Sequence, residues 1–192
     1  MVKIKNIGII GGGNMGEAIL ASCRKHLHVC VSEKSVERQR YLIKKYRIKS
    51  DRIEGLAQRC SVIILAVKPQ DFDETLASLK PFVTKRHLII SVAAGITTNY
   101  IEKKLGGRVR VIRTMPNLPA VVQRAVTALA RGRFAQAGDL KIAGEIFDRL
   151  GKTLIVKEEL IDMVTATSGS GPGYVFFLME QMIEAAKKVG LS

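Results

Sequence analysis

The sequence predicts an α/β fold: a Rossmann-type, doubly wound and mostly parallel sheet, followed by the beginning of an all-helical domain. Three observations carry that prediction. Short apolar runs without polar alternation, such as SVIILAV and HLIISVAA, alternate with amphipathic stretches over about 150 residues, as strands buried on both faces and their covering helices do. A glycine pattern, Gly11-x-Gly13-x-x-Gly16, lies between the first apolar run and the first amphipathic stretch. Beyond Val156 the strand-like runs cease and only helical periodicity continues.

The elements follow in order. Strands are expected at residues 5–10, 28–32, 62–67, 87–92, 109–114, 125–130 and 153–156, where the apolar runs fall. Helices are expected between them at 14–25, 35–46, 71–79, 97–105 and 136–150. Residues 158–167 read as one helix and 172–189 as a longer one, with Ser170 as its cap, Pro172 near its first turn and Gly190 as its stop. The division therefore falls into a dinucleotide-binding domain at 1–157 and the start of a helical domain at 158–192. Val175, Leu178, Met179, Met182, Ile183 and Ala186 form an apolar stripe on the last helix. That stripe implies a subunit contact, or a helical domain whose remainder covers it.

Bulk properties narrow the classes of function. With 192 residues and 47% apolar composition the chain can build a packed core. No apolar run approaches the roughly 18 residues of a membrane span, and the start MVKIKN lacks a signal-like apolar segment, so a cytoplasmic protein is expected. Cys23, Cys30 and Cys60 are odd in number, lack CxxC spacing and lie in or beside apolar stretches, which predicts buried thiols. His26, His28 and His87 supply no metal-ligand pattern, so no metal is expected. Thirty-one Lys and Arg against 17 Asp and Glu give a formal charge of +14, which draws polyanions. The cations run from Lys3 to Lys188 with no single arginine-rich block and few interleaved aromatics, so a phosphate-rich cofactor is expected rather than nucleic acid.

The glycines point to the same cofactor class. Gly11 permits a tight turn, Gly13 lets a pyrophosphate approach the main chain, and Gly16 allows close helix-to-strand packing. Asn14 and Met15 complete the loop, and the helix start that follows attracts phosphate. The second strand ends at Ser32-Glu33-Lys34, with Arg38 beyond, where a ribose-reading residue belongs. Small Ser32 beside Lys34 and Arg38 would accept a 2′-phosphate, so NADP(H) is the preferred cofactor. Glu33 leaves NAD(H) open.

The segments IGIIGGGNMGEAI, ILAVKPQD, SVAAGITTNYIEKKL, VIRTMPNLPA and TATSGSGPGYVF, in that order, resemble pyrroline-5-carboxylate reductase, the family that completes proline biosynthesis. The likeness runs the whole length of the chain. It implies hydride transfer from the reduced nicotinamide to the C=N carbon of 1-pyrroline-5-carboxylate, giving L-proline. A protonated imine is already electrophilic, so placement and exclusion of water matter more than a strong base, and no catalytic residue is named. By resemblance, Ala66, Val67, Lys68 and Pro69 and the turn Val92-Ala93-Ala94-Gly95 contact the nicotinamide end of the cofactor, while Met115 and Asn117 line the cleft where cofactor meets substrate. Glu158, in an acidic stretch with Glu159 and Asp162, is the expected partner of the substrate's ring nitrogen. The SGSGP segment is expected to open a helix whose amides suit a carboxylate.

The family continues through helices that interlock two subunits, which implies a homo-oligomer formed through the C-terminal helices. It also carries a Ser-Pro-Gly-Gly-Thr-Thr segment, not found here, that holds the substrate carboxylate. The alternative expectation is accordingly a dinucleotide-binding module without turnover. Gln123 and Ala125 stand where the family has glycines, Gly173 replaces an alanine, and Ile53 replaces an asparagine.

Overall fold

The computed structural model describes residues 6–191. Eight strands make one sheet: β1 (Asn6–Ile10), β2 (His28–Ser32), β3 (Lys49–Ser50), β4 (Val62–Leu65), β5 (Leu88–Ser91), β6 (Arg110–Met115), β7 (Ala125–Arg131) and β8 (Gly151–Ile155). Their spatial order is β3-β2-β1-β4-β5-β6-β7-β8. Every pairing is parallel except β6 with β7. The chain moves outward from β1 to β3 and then returns to place β4 on the other side of β1. That reversal opens a crevice at the carboxyl ends of β1 and β4, where sheets of this kind bind ligands.

Helices α1 (Asn14–Cys23), α2 (Val36–Tyr46), α3 (Ile53–Arg59), α4 (Phe72–Leu79), α5 (Thr98–Leu105) and α6 (Ala137–Phe147) cover the two faces. The strands serve both sides at once through their two-residue period. Val62 and Ile64 of β4 join the core cluster with Ile19, Leu20 and Phe147, while Ile63 and Leu65 join the cluster with Leu56, Leu76 and Ile101. Burial on both faces explains why this strand shows no polar alternation in sequence. Cys23, Cys30 and Cys60 are buried free thiols within these cores.

The structure adds β3 and α3, which the sequence reading lacks. β3 is two residues long and α3 seven, too short for a periodic pattern to rise above its surroundings. Several ends also move. α1 stops at Cys23 rather than at residue 25, α6 at Phe147 rather than at 150, and β4 at Leu65 rather than at 67.

The largest correction lies after β8. Residues 158–167 are not one helix: a 3-10 turn (Glu158–Leu160) leads into α7 (Ile161–Val164) and then a π turn (Thr165–Gly169). The π turn runs straight into α8 (Gly171–Lys188). Ser170 is therefore no cap. Its backbone is helical, its side chain makes no capping bond, and its N–H donates to the Thr165 carbonyl at 2.9 Å. The expected bare helix start at SGSGP is absent because the wider turn keeps the main chain paired. No residue of α8 is buried, and among the described residues no helix is long and apolar enough to cross a membrane.

Candidate functional site

The glycine loop is shaped by contacts that forbid side chains at two positions and by open space at a third. Gly11 has a φ of +99°, and its N–H donates to the Ser32 carbonyl at 2.9 Å, tying the turn to β2. A Cβ at Gly16 would stand 2.0 Å from the Gly11 carbonyl oxygen, so α1 can approach β1 this closely only with glycine there. A Cβ at Gly13 would meet nothing within 4 Å. Gly13 is the N-cap of α1 and supplies no side-chain cap. The amides of Asn14, Met15 and Gly16 belong to the first helical turn and have no partner within their own helix. The loop thus presents bare N–H groups and the positive end of a helix to an exposed surface, a fitting cradle for a diphosphate.

Around this cradle a charged frame fixes the tip of β2. Glu33 accepts from the Gly12 N–H at 2.6 Å and from the Ser35 N–H at 2.8 Å. Arg38 donates through Nε to the Gly12 carbonyl at 2.6 Å and pairs with Glu17. Burial pushes the Glu17 carboxyl up, but hydrogen bonds from Lys45, Tyr46 and Arg38 outweigh it and hold the group at about 2. Lys34 reaches Asp71 at 2.7 Å from an exposed position at the rim. Arg38, read in sequence as a candidate for a 2′-phosphate, is thereby engaged in bracing the loop, whereas Lys34 stands at the edge of the opening.

A cleft of about 730 Å³ follows the carboxyl ends of β1, β2 and β4. It brings together Gly11, Gly13, Ser32, Lys34, Val67 and Lys68, with Ala66 beside them. Glu33, read in sequence as the residue that leaves NAD(H) open, also lines it, as do Arg52 and Gln70, which the sequence reading does not single out. Arg52 is the residue before α3, so finding it required knowing that a helix begins there. Pro69 opens the 3-10 turn that carries Gln70.

The remaining predicted residues sit one and two strands further along the same edge. Val92, Ala93, Ala94 and Gly95 follow β5; Ala93 is buried, and Gly95 has a φ of +73° with open space at its Cβ position. Met115 closes β6 but is buried against Ala128, Ala130 and Ile161. Asn117 accepts from the Val126 N–H at 3.0 Å and donates to Ser168 Oγ at 3.2 Å, joining the loop after β6 to the π turn.

Both carboxylate oxygens of Glu158 are engaged by α5. Thr98, the first residue of α5, donates its N–H and its hydroxyl to the two Glu158 oxygens, each at 2.7 Å. Arg113 of β6, 1% exposed, lies 3.8 Å from Glu158 and 2.5 Å from Asp162. Nearby Glu102 is pushed above the usual carboxylate range by burial, opposed by the Arg133 and Phe134 amides, and pushed further by the Glu158 charge. Among the described residues no cluster of three or more metal-type side chains occurs.

Two family models match the chain. Residues 6–95 match the one described as NADP oxidoreductase coenzyme F420-dependent, and residues 158–192 match the one described as pyrroline-5-carboxylate reductase dimerisation. The chain is 37% identical over 196 residues to a pyrroline-5-carboxylate reductase of Mycobacterium tuberculosis, an alignment covering 97% of this chain and 66% of that protein. It superposes on the structure of a pyrroline-5-carboxylate reductase from Coxiella burnetii with a TM-score of 0.87 and 33% identity, over 99% of this chain and 73% of that one. The Plasmodium falciparum pyrroline carboxylate reductase with NADP bound matches with a TM-score of 0.86 and 29% identity, over 100% of this chain and 72% of that one. The chain thus spans about two thirds of the length of the curated relatives it matches.

Proposed function

The chain belongs to the pyrroline-5-carboxylate reductase family, and from that membership we propose that it reduces 1-pyrroline-5-carboxylate to L-proline, with NADP(H) preferred and NAD(H) accepted. The observation that carries the proposal is the glycine loop of residues 11–16, whose bare amides at 13–16 open onto the cleft at the β1–β4 crevice. When bound, the reduced nicotinamide supplies the hydride.

This chain's residues have the placing to do. The Gly13, Asn14, Met15 and Gly16 amides would hold the diphosphate, which the open space at Gly13 supports. Ser32 and Lys34 would face the 2′-phosphate. The capture of Glu33 by the Gly12 and Ser35 amides favours this, because both carboxylate oxygens already have main-chain donors and are engaged away from the ribose hydroxyls. Ala66 to Pro69 and Val92 to Gly95 would seat the nicotinamide, and Met115 and Asn117 would bound the substrate side. Small side chains and the exposed Gly95 turn support a flat ring there.

Division after Lys157 fits the end of the sheet at Ile155. A homodimer through α8 is supported by its exposed apolar residues and by the dimerisation model. We place the protein in the cytoplasm.

Titration with NADPH and NADH, followed by 1-pyrroline-5-carboxylate, tests the reading. NADPH should bind more tightly and be oxidised. Equal, feeble binding of both would overturn the cofactor assignment. Tight binding without oxidation would make the chain a dinucleotide-binding module.

A further inference from the structure

We propose that Glu158 and Arg113 form a positioning brace that fixes the helical segment against the turn after β5, and so sets where an imine held by that segment meets the cofactor edge of the sheet. The proposal rests on the reductase reading for its functional part, though not for its structural part.

Four observations converge on it. Glu158 belongs to the helical segment, yet both its oxygens are taken by Thr98, sixty residues earlier and three residues beyond Gly95. Thr97 caps α5 by accepting from the Tyr100 N–H, and Glu158 takes the Thr98 N–H that the cap leaves over. A carboxylate at this helix start is also favoured by the helix dipole. The turn carrying Ala94 and Gly95 is therefore held at its far end by a group from another part of the fold.

Arg113 closes the arrangement from the sheet side. It lies two residues before Met115, is almost wholly buried, and faces Glu158 and Asp162, both supplied by the helical segment. Its Nε is buried without a partner among the described residues. A buried guanidinium with one N–H unpaired is a poor way to gain stability, since an apolar side chain of similar size usually does as well. What it does provide is one fixed geometry for two acids. Asn117 adds a second tie from the loop after β6 to Ser168 in the π turn, and π turns are frequent where a functional site needs a helix displaced. The two loops assigned to the nicotinamide and substrate side are thus both fastened to the segment that leads into α8.

Glu158 is accordingly a positioning residue in this proposal, not a ligand of the substrate. The test compares the unsubstituted chain with Glu158→Ala, Glu158→Gln and Thr98→Val by amide hydrogen exchange, NADPH titration and steady-state kinetics. In Glu158→Ala, exchange at Thr98 and across residues 165–169 should rise together by about tenfold or more. NADPH affinity should stay within about twofold, because the glycine cradle is untouched. The KM for the imine should rise about tenfold while that for NADPH holds. Glu158→Gln, which can still accept from Thr98, should recover much of the protection at Thr98. Thr98→Val should give a smaller loss of the same pattern.

Unchanged exchange at Thr98 in Glu158→Ala, or movement at only one of the two places, overturns the brace. So does a collapse of kcat with an unchanged imine KM, which would return Glu158 to direct contact with the reacting groups. If the unsubstituted chain fails to bind NADPH, the reductase reading falls, and the exchange pattern still decides the brace.

Discussion

Strands β4 and β5 bury every side chain they carry, whereas α8 buries none. Both are rich in apolar residues, so composition alone does not separate them. Tyr174, Val175, Phe176, Phe177, Leu178 and Met179 are consecutive and 50–64% exposed, which makes α8 apolar around its whole circumference at that end. A helix of that kind is normally surrounded. In the sheet, each apolar side chain is answered from within the same chain. In α8 the exposed apolar surface has no answer among the described residues, and the segment leading into it is held by a few polar ties and by Ile161 and Val164 packed against Met115, Ala128 and Ala130.

The comparison can be broken most directly by cutting side chains in each region. Ile64→Ala, fully buried in β4, should cost about 2–5 kcal/mol in urea unfolding. Phe177→Ala, 64% exposed, should stay within about 0.5 kcal/mol at concentrations where the chain is monomeric, and should instead weaken self-association in sedimentation. Equal costs for the two would erase the distinction drawn above.

Within the first region the contrast repeats between shape and function. Gly13→Ala has room for its methyl group, so unfolding should barely change while NADPH affinity falls by about tenfold, or roughly 1.4 kcal/mol, through loss of close approach. Gly16→Ala forces a clash with the Gly11 carbonyl and should lose stability and binding together.

A smaller effect concerns pH. Glu17 is held at about 2 in the fold against an ordinary 4.5. The stabilisation is therefore complete above about pH 4.5 and drains away as pH falls towards 2. Glu17→Gln should flatten that stretch of the stability curve, by on the order of 1 kcal/mol after solvent screening. The smallest effect belongs to the exposed Lys34–Asp71 pair. Lys34→Ala should leave the unfolding curve almost where it was, because an exposed pair is screened by solvent, and should weaken NADPH more than NADH in paired titrations.

Legibility in the sequence follows the range of the interaction. β2 falls where its run falls, and α2 and α5 start one residue after the predicted 35 and 97, which are the side-chain caps Ser35 and Thr97. The glycine loop was equally plain, because steric demands on a turn act between near neighbours. β3 and α3 are too short to carry a period, and with them went Arg52 at the cleft. Glu158 shows the other limit. As a string it is one acid in an acidic stretch, and nothing local announces that Thr98 waits for it. Arg113 likewise looks like a stray cation in a strand until the segment bearing Asp162 folds over it. The π turn at Thr165–Gly169 has no compositional mark, so the sequence predicts a break where the helical chain continues.

That turn has a consequence for evolution as well as for shape. A wide turn is an α-helix with one extra residue lodged in it, and each residue carries about 100° of rotation about the helix axis. Removing Ala166 would let the turn close with ordinary i→i+4 bonds, because a π turn spends about one residue more than an α turn on the same revolution, so α8 would keep its facing and lose only the bulge. A single codon gained or lost there makes or removes the bulge and leaves the residues that α8 displays as they were.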